Sequence, residues 1–73
     1  MGLPSDLVQA LHDAYAHAPT GDVAVRIHLF GIKHADRLDG VNLKALCGAA
    51  DVRESWATEI HKGMRLAEYV TVR

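Results

Sequence analysis

The sequence has a single cysteine, Cys47, so no disulfide within the chain can hold it together. That suits a reducing compartment, and a cytoplasmic location is expected. A lone thiol can serve as a redox sensor. At helical spacing among apolar neighbours, however, Cys47 reads as a small buried hydrophobe. No apolar run approaches the ~20 residues of a membrane helix, so no membrane partner is expected. The opening Met-Gly-Leu-Pro-Ser-Asp lacks the basic region and long apolar stretch of a secretory signal. Asp6 stands where a myristoylation pattern wants Ser or Thr. There is no repeat, no low-complexity segment and no linker, so residues 1–73 read as one domain.

Catalytic signatures are also missing. There is no nucleophile elbow, no phosphate loop and no carboxylate pair. His34 and Asp36 are too close in sequence to share a helical face. His12, His17, His28, His34 and His61 contain no i, i+4 pair and no HExxH pattern, and one cysteine makes no zinc knuckle. The expectation is a protein that is not an enzyme, with no metal, no cofactor and no small-molecule ligand.

Strong charge is absent too. The net charge is −1, which is not that of a polycation. The distribution is uneven: residues 1–39 carry three Lys/Arg against five Asp, and residues 40–73 carry five against four Asp/Glu. Phosphate affinity grows with the number of phosphates neutralised, and one copy offers few cations. A nucleic-acid binder of this size should therefore work as a dimer or in an assembly.

What is present is a short, globular composition: 49% hydrophobic and 23% charged over 73 residues. A chain this size buries only about 60% of its unfolded surface, so its core is thin. Pro4 and Ser5 open a first helix, with Ser5 as the expected N-cap and Asp6 near the positive end of the dipole. Leu7, Leu11 and Tyr15 form its stripe, with Val8 beside it. Pro19 and Gly21 end it after His17. Residues 22–39 are readable two ways. Val23, Val25, Ile27 and Leu29 alternate as in a strand, whereas Ile27, Gly31, Ala35 and Leu38 share a helical face. Helix is favoured, because the pattern runs on through residues 33–38 to a stop at Gly40. Its apolar residues point around most of the helix, so it should meet a partner subunit as well as the core.

Asn42 is the expected N-cap of the next helix, with Val41 and Leu46 placed as a hydrophobic staple. Leu43, Leu46, Cys47 and Ala50 carry its inward face. Asp51 and Val52 form a tight turn, and Asp51 tolerates the left-handed conformation such a turn needs. Asp51 and Glu54 have capping-box spacing, which would open the following helix near Val52 or Arg53. Ala57 and Ile60 face inward from that helix, and Gly63 stops it. Trp56 either packs under the helix or wedges against a sugar. Residues 69–72 are rich in strand formers, leaving open a short C-terminal β-strand. The expected fold is mainly all-α: a compact four-helix domain containing a helix-turn-helix.

Residues 43–62 resemble the helix-turn-helix families. Small residues 47–50 and Ala57 sit where two helices cross, a tight turn follows, and polar residues face out from the second helix. A wider resemblance runs over residues 10–72. The segments IHLFGIK at 27–33, TEIHKGM at 58–64 and LAEYV at 66–70 are similar to small, mostly uncharacterised bacterial proteins described as helix-turn-helix-like. The resemblance implies that fold and a DNA-binding role, without a target. Asp51 departs from the glycine usual in the turn.

These features lead to a DNA-binding protein, a small dimeric transcriptional regulator whose partner is double-stranded DNA. Arg53, Ser55, Thr58, Glu59 and Lys62 would face the groove, where such side chains read base edges or hold phosphates. Lys44 and Arg65 would bind phosphates. Leu43, Leu46, Ala50, Val52, Ala57 and Ile60 would hold the motif together. The alternative is a protein-interaction module of the same fold, favoured by the near-neutral charge and by Glu54 and Glu59 on the outward face.

Overall fold

The computed structural model describes residues 2–72. It contains α1 (Ser5–Ala16), α2 (Val23–Lys33), α3 (Ala35–Leu38), α4 (Leu43–Ala49) and α5 (Ala57–Leu66), with a 3-10 turn, Glu54–Trp56, leading into α5. The all-α architecture expected from the sequence is the one found, with five helices in place of four.

Pro4, not Ser5, is the N-cap of α1, and no side chain caps this end. The Pro4 carbonyl takes the first amides instead, from Leu7 and Val8 at 3.1 Å each. Leu7 and Leu11 are fully buried, one turn apart on the inward stripe. After His17 the chain turns at Gly21, where φ is 90°, and enters α2. The alternation of residues 23–29 is therefore not a strand.

Residues 22–39 are not one helix. The chain bends at His34 (φ −111°, ψ 17°) and resumes as α3. The bend directs Leu38 into the core, where it is fully buried. It also brings Arg37 back to α1, where the guanidinium holds both carboxylate oxygens of Asp6, at 2.5 and 2.8 Å. Gly40, with φ 81°, then stops the segment as expected.

The expected cap on α4 is formed: Asn42 Oδ1 accepts from the Ala45 amide at 3.1 Å. The other end of α4 explains the tight turn. Asp51 is the one non-glycine described residue with positive φ, at 59°. Its amide donates to Gly48 O at 3.3 Å, and the Val52 amide donates to Cys47 O at 2.8 Å. Those two bonds define a Schellman cap, with Asp51 in the left-handed place that glycine usually fills. Val52, the next residue, is buried and anchors the turn to the core. The capping box expected between Asp51 and Glu54 is not made. Asp51 is used to close α4, and Arg53 is the N-cap of the 3-10 turn, without a side-chain bond.

Gly63 does not stop α5. It lies inside the helix and is buried. The reason is tertiary: α5 makes its most extensive contact with α2, and Gly63 faces Gly31 there. A Cβ on Gly63 would collide with the His28 carbonyl oxygen, and one on Gly31 would lie 2.5 Å from the Ile60 carbonyl oxygen. Two glycines let the helix backbones touch.

Eleven buried residues from α1 to α5 form one apolar cluster around Leu7, Leu11, Ile27, Leu38, Leu46 and Ile60. Trp56 packs against it from below α5, edge-on to Tyr15 with ring centroids 6.4 Å apart. No polar side chain is buried among the described residues. The tail left open as a strand is none: residues 67–69 turn, the Val70 amide donates to Leu66 O at 3.0 Å, and 70–72 have no regular secondary structure. A strand needs another strand to pair with, and every described element around the tail is helical.

Candidate nucleic-acid interface

The Schellman turn sets the direction of the second helix of the motif, and burial sets its rotation. Ala57, Ile60 and Gly63 face inward at helical spacing. Their opposites, Ser55, Thr58, Lys62 and Arg65, are all exposed. The steps 55 to 58, 58 to 62 and 62 to 65 are three or four residues, so these four side chains make one ridge along the outer face. It offers two hydroxyls near the start and two cations near the end.

The remaining candidates lie to the sides. Arg53 is exposed in the turn. Lys44 is on α4, 73% exposed, with Nζ 3.9 Å from the Glu54 carboxylate. That is a loose surface pair of little energy, and both groups can leave it. The structure thus gathers Ser55, Thr58, Lys62 and Arg65, and sets Lys44 and Arg53 at the end of the ridge where α5 begins.

Glu59 is placed differently from its neighbours. Its carboxylate leans toward α2 and is only 25% exposed. His28 Nε2 donates to Oε1 at 2.8 Å, and Lys62 Nζ lies 3.2 Å from Oε2. These two donors, His28 first, hold the Glu59 carboxyl below its ordinary pKa. The negative charge is therefore fixed at the border of the ridge and matched by neighbours, rather than standing free in its centre. His28 was not among the residues singled out from the sequence. It lies 31 positions from Glu59, beyond any local pattern. His61, exposed on the other flank of α5, was also not singled out; it is one turn before Arg65, and its spacing within α5 could have revealed it.

Cys47 is fully buried, and burial pushes its thiol pKa up. A thiol held in its neutral form is a poor nucleophile, which fits the packing role expected of it. No group of three or more His, Cys, Asp or Glu side chains suited to a metal ion occurs among the described residues. No described helix is long and apolar enough to cross a membrane.

The model of a protein family described as an HTH-like domain matches residues 4–73. No curated protein and no solved structure matches the chain.

Proposed function

The chain belongs to the HTH-like domain family, and from that premise we propose that it binds double-stranded DNA as a small dimeric transcriptional regulator. The observation that carries the reading is the exposed ridge that runs from Ser55 in the 3-10 turn along α5 through Thr58, Lys62 and Arg65. A helix in the major groove reads base edges with residues of its first turns and touches the backbone at its ends. Ser55 and Thr58 stand at the first position, with Arg53 beside them. Lys62 extends the ridge, and Arg65 and Lys44 reach phosphates on either side. Glu59 orients Lys62 from the border of the groove. On this reading the protein works in the cytoplasm by binding, not by catalysis.

The dimer is part of the same proposal. The exposed large hydrophobics, Val25, Leu29, Leu66, Tyr69, Val70 and Val72, all belong to α2 or to the end of α5 and its tail. Exposed apolar side chains in that number favour an interface, and a two-fold axis lets each copy cover those of the other. The domain measures 30 × 27 × 20 Å. Each copy is thus of the same order of size as the ~34 Å between successive major grooves.

Titration against mixed genomic DNA at low and moderate salt tests the reading. Binding should fall steeply as salt rises, because counterions released from phosphates drive it. Lys62→Ala should reduce the slope by about 1 and weaken all sequences alike. Binding that is absent, or indifferent to salt, would favour the same fold as a protein-interaction module. One observation supports that second reading: Leu66 and Tyr69 form an exposed apolar surface beside Lys62 and Arg65.

A further inference from the structure

A second feature lies on the other side of α2, away from the ridge. Ala10 and Ala14 stand one turn apart on α1, and their small side chains leave space between α1 and α2. The resulting cleft has a volume of about 290 Å³, and Val72 of the tail is among the residues that line it. Arg26, Leu29, Phe30 and Lys33 line its other wall, at the three- and four-residue steps of a single helical face. The floor is therefore apolar and partly aromatic, and a cation stands at each end. Seven residues of helix separate those cations by about 10 Å.

The cleft carries two cations, Arg26 and Lys33, against one carboxylate, Asp13. Arg26 and Lys33 are exposed, and neither has a carboxylate within ion-pair distance among the described residues. The one carboxylate on the wall, Asp13, accepts instead from the Gln9 amide at 2.9 Å. His34 stacks at an angle on Phe30, with centroids 5.0 Å apart, and its pKa is lowered by burial, then by Lys33 and Arg37. The surroundings are electropositive in a protein whose net charge is negative.

We propose that the cleft between α1, α2 and the tail is a binding site for a small aromatic carboxylate. The ring lies on Leu29 and Phe30 against Ala10 and Ala14, and the carboxylate meets Arg26 or Lys33. The volume is at the lower end of known small-molecule pockets, which take a few placed polar groups on an apolar floor. A single ring or a fused pair fits that volume. The site uses neither α5 nor the turn before it, and it shares only Leu29 and Val72 with the face proposed for self-association.

The test uses 2-naphthoate as the probe and its neutral amide as the control, with the whole chain followed by NMR. The carboxylate should give saturable shifts at Ala10, Ala14, Phe30 and Val72, and the amide should bind at least five-fold more weakly. Arg26→Gln with Lys33→Gln should remove that preference, and both changes are at exposed positions that leave the fold intact. Ala14→Met, which fills the floor and keeps both cations, should abolish the shifts. Equal binding of acid and amide would overturn the proposal. So would shifts centred on Leu66 and Tyr69, which would mark general adhesion to apolar surface. Leu29 and Val72 also belong to the face proposed for self-association, so sedimentation is run alongside. Shifts that follow association alone would overturn the proposal too.

Discussion

Replacing Gly63 by alanine sets two effects against each other. In an ordinary exposed helix the change is favourable by roughly 0.5–1 kcal/mol, because alanine loses less backbone freedom on folding. Here the new methyl group points at α2. It would overlap the His28 carbonyl oxygen and lie 3.0 Å from Gly31 Cα and 3.2 Å from the His28 carbonyl carbon. All three are backbone atoms of a helix, so no side chain can rotate away. The helices must separate, and overpacking of this kind typically costs about 1–3 kcal/mol. Separation also loosens Ile27 and Ile60, both fully buried near this crossing. A gap of about 0.5–1 Å forfeits a quarter to a half of each dispersion contact. The crossing terms outweigh the propensity gain, and a net loss of up to about 2.5 kcal/mol follows. For a domain of this size that lowers the melting temperature by roughly 4–8 °C per kcal/mol. Gly48→Ala is the control. Gly48 lies in α4 with nothing within 4 Å of its would-be Cβ. It should show the propensity gain alone and melt a few degrees higher. Thermal unfolding by circular dichroism reads both. If Gly63→Ala melts at or above the wild-type temperature, as Gly48→Ala should, the close contact of α2 and α5 is wrong.

Ile60→Ala removes a fully buried side chain and should cost about 2–5 kcal/mol in urea unfolding; an unchanged curve would put Ile60 outside and shift the whole ridge. Asp51→Gly should stabilise by up to about 1 kcal/mol, since glycine adopts the left-handed conformation without a Cβ clash, and Asp51→Val should destabilise. The reverse order would refute the Schellman turn. The Asp6–Arg37 pair predicts an acid response. Arg37 holds the Asp6 carboxyl at about 2, below its ordinary 3.8. The folded state thus prefers the charged form, so this contribution is present above about pH 4 and is lost as pH falls toward about 2. Both groups are exposed, so the effect is modest and screened by salt. Asp6→Asn should flatten the fall in melting temperature across that window; an equally steep fall would remove the pair from the account.

The sequence by itself determined what depends on a few neighbouring residues. Asn42 caps α4 because its side chain reaches an amide three positions on. Asp51 closes the turn because its side chain tolerates positive φ. Ala57 and Ile60 face inward because they are the apolar residues at helical spacing in that segment. Those local facts suffice for two helices, a turn and an outward ridge. Tertiary structure decided the rest. Gly63 looks like a stop from propensity, yet it continues the helix because α2 requires a residue without a side chain there. His34 bends the chain, which sends Leu38 into the core and Arg37 to Asp6, 31 positions away. Glu59 is held by a hydrogen bond from His28, also 31 positions away and on another helix. The tail has strand-forming residues but no strand to pair with. A side chain's reach along a helix ends after about one turn. Which distant backbone or charge it meets is fixed only when the helices pack.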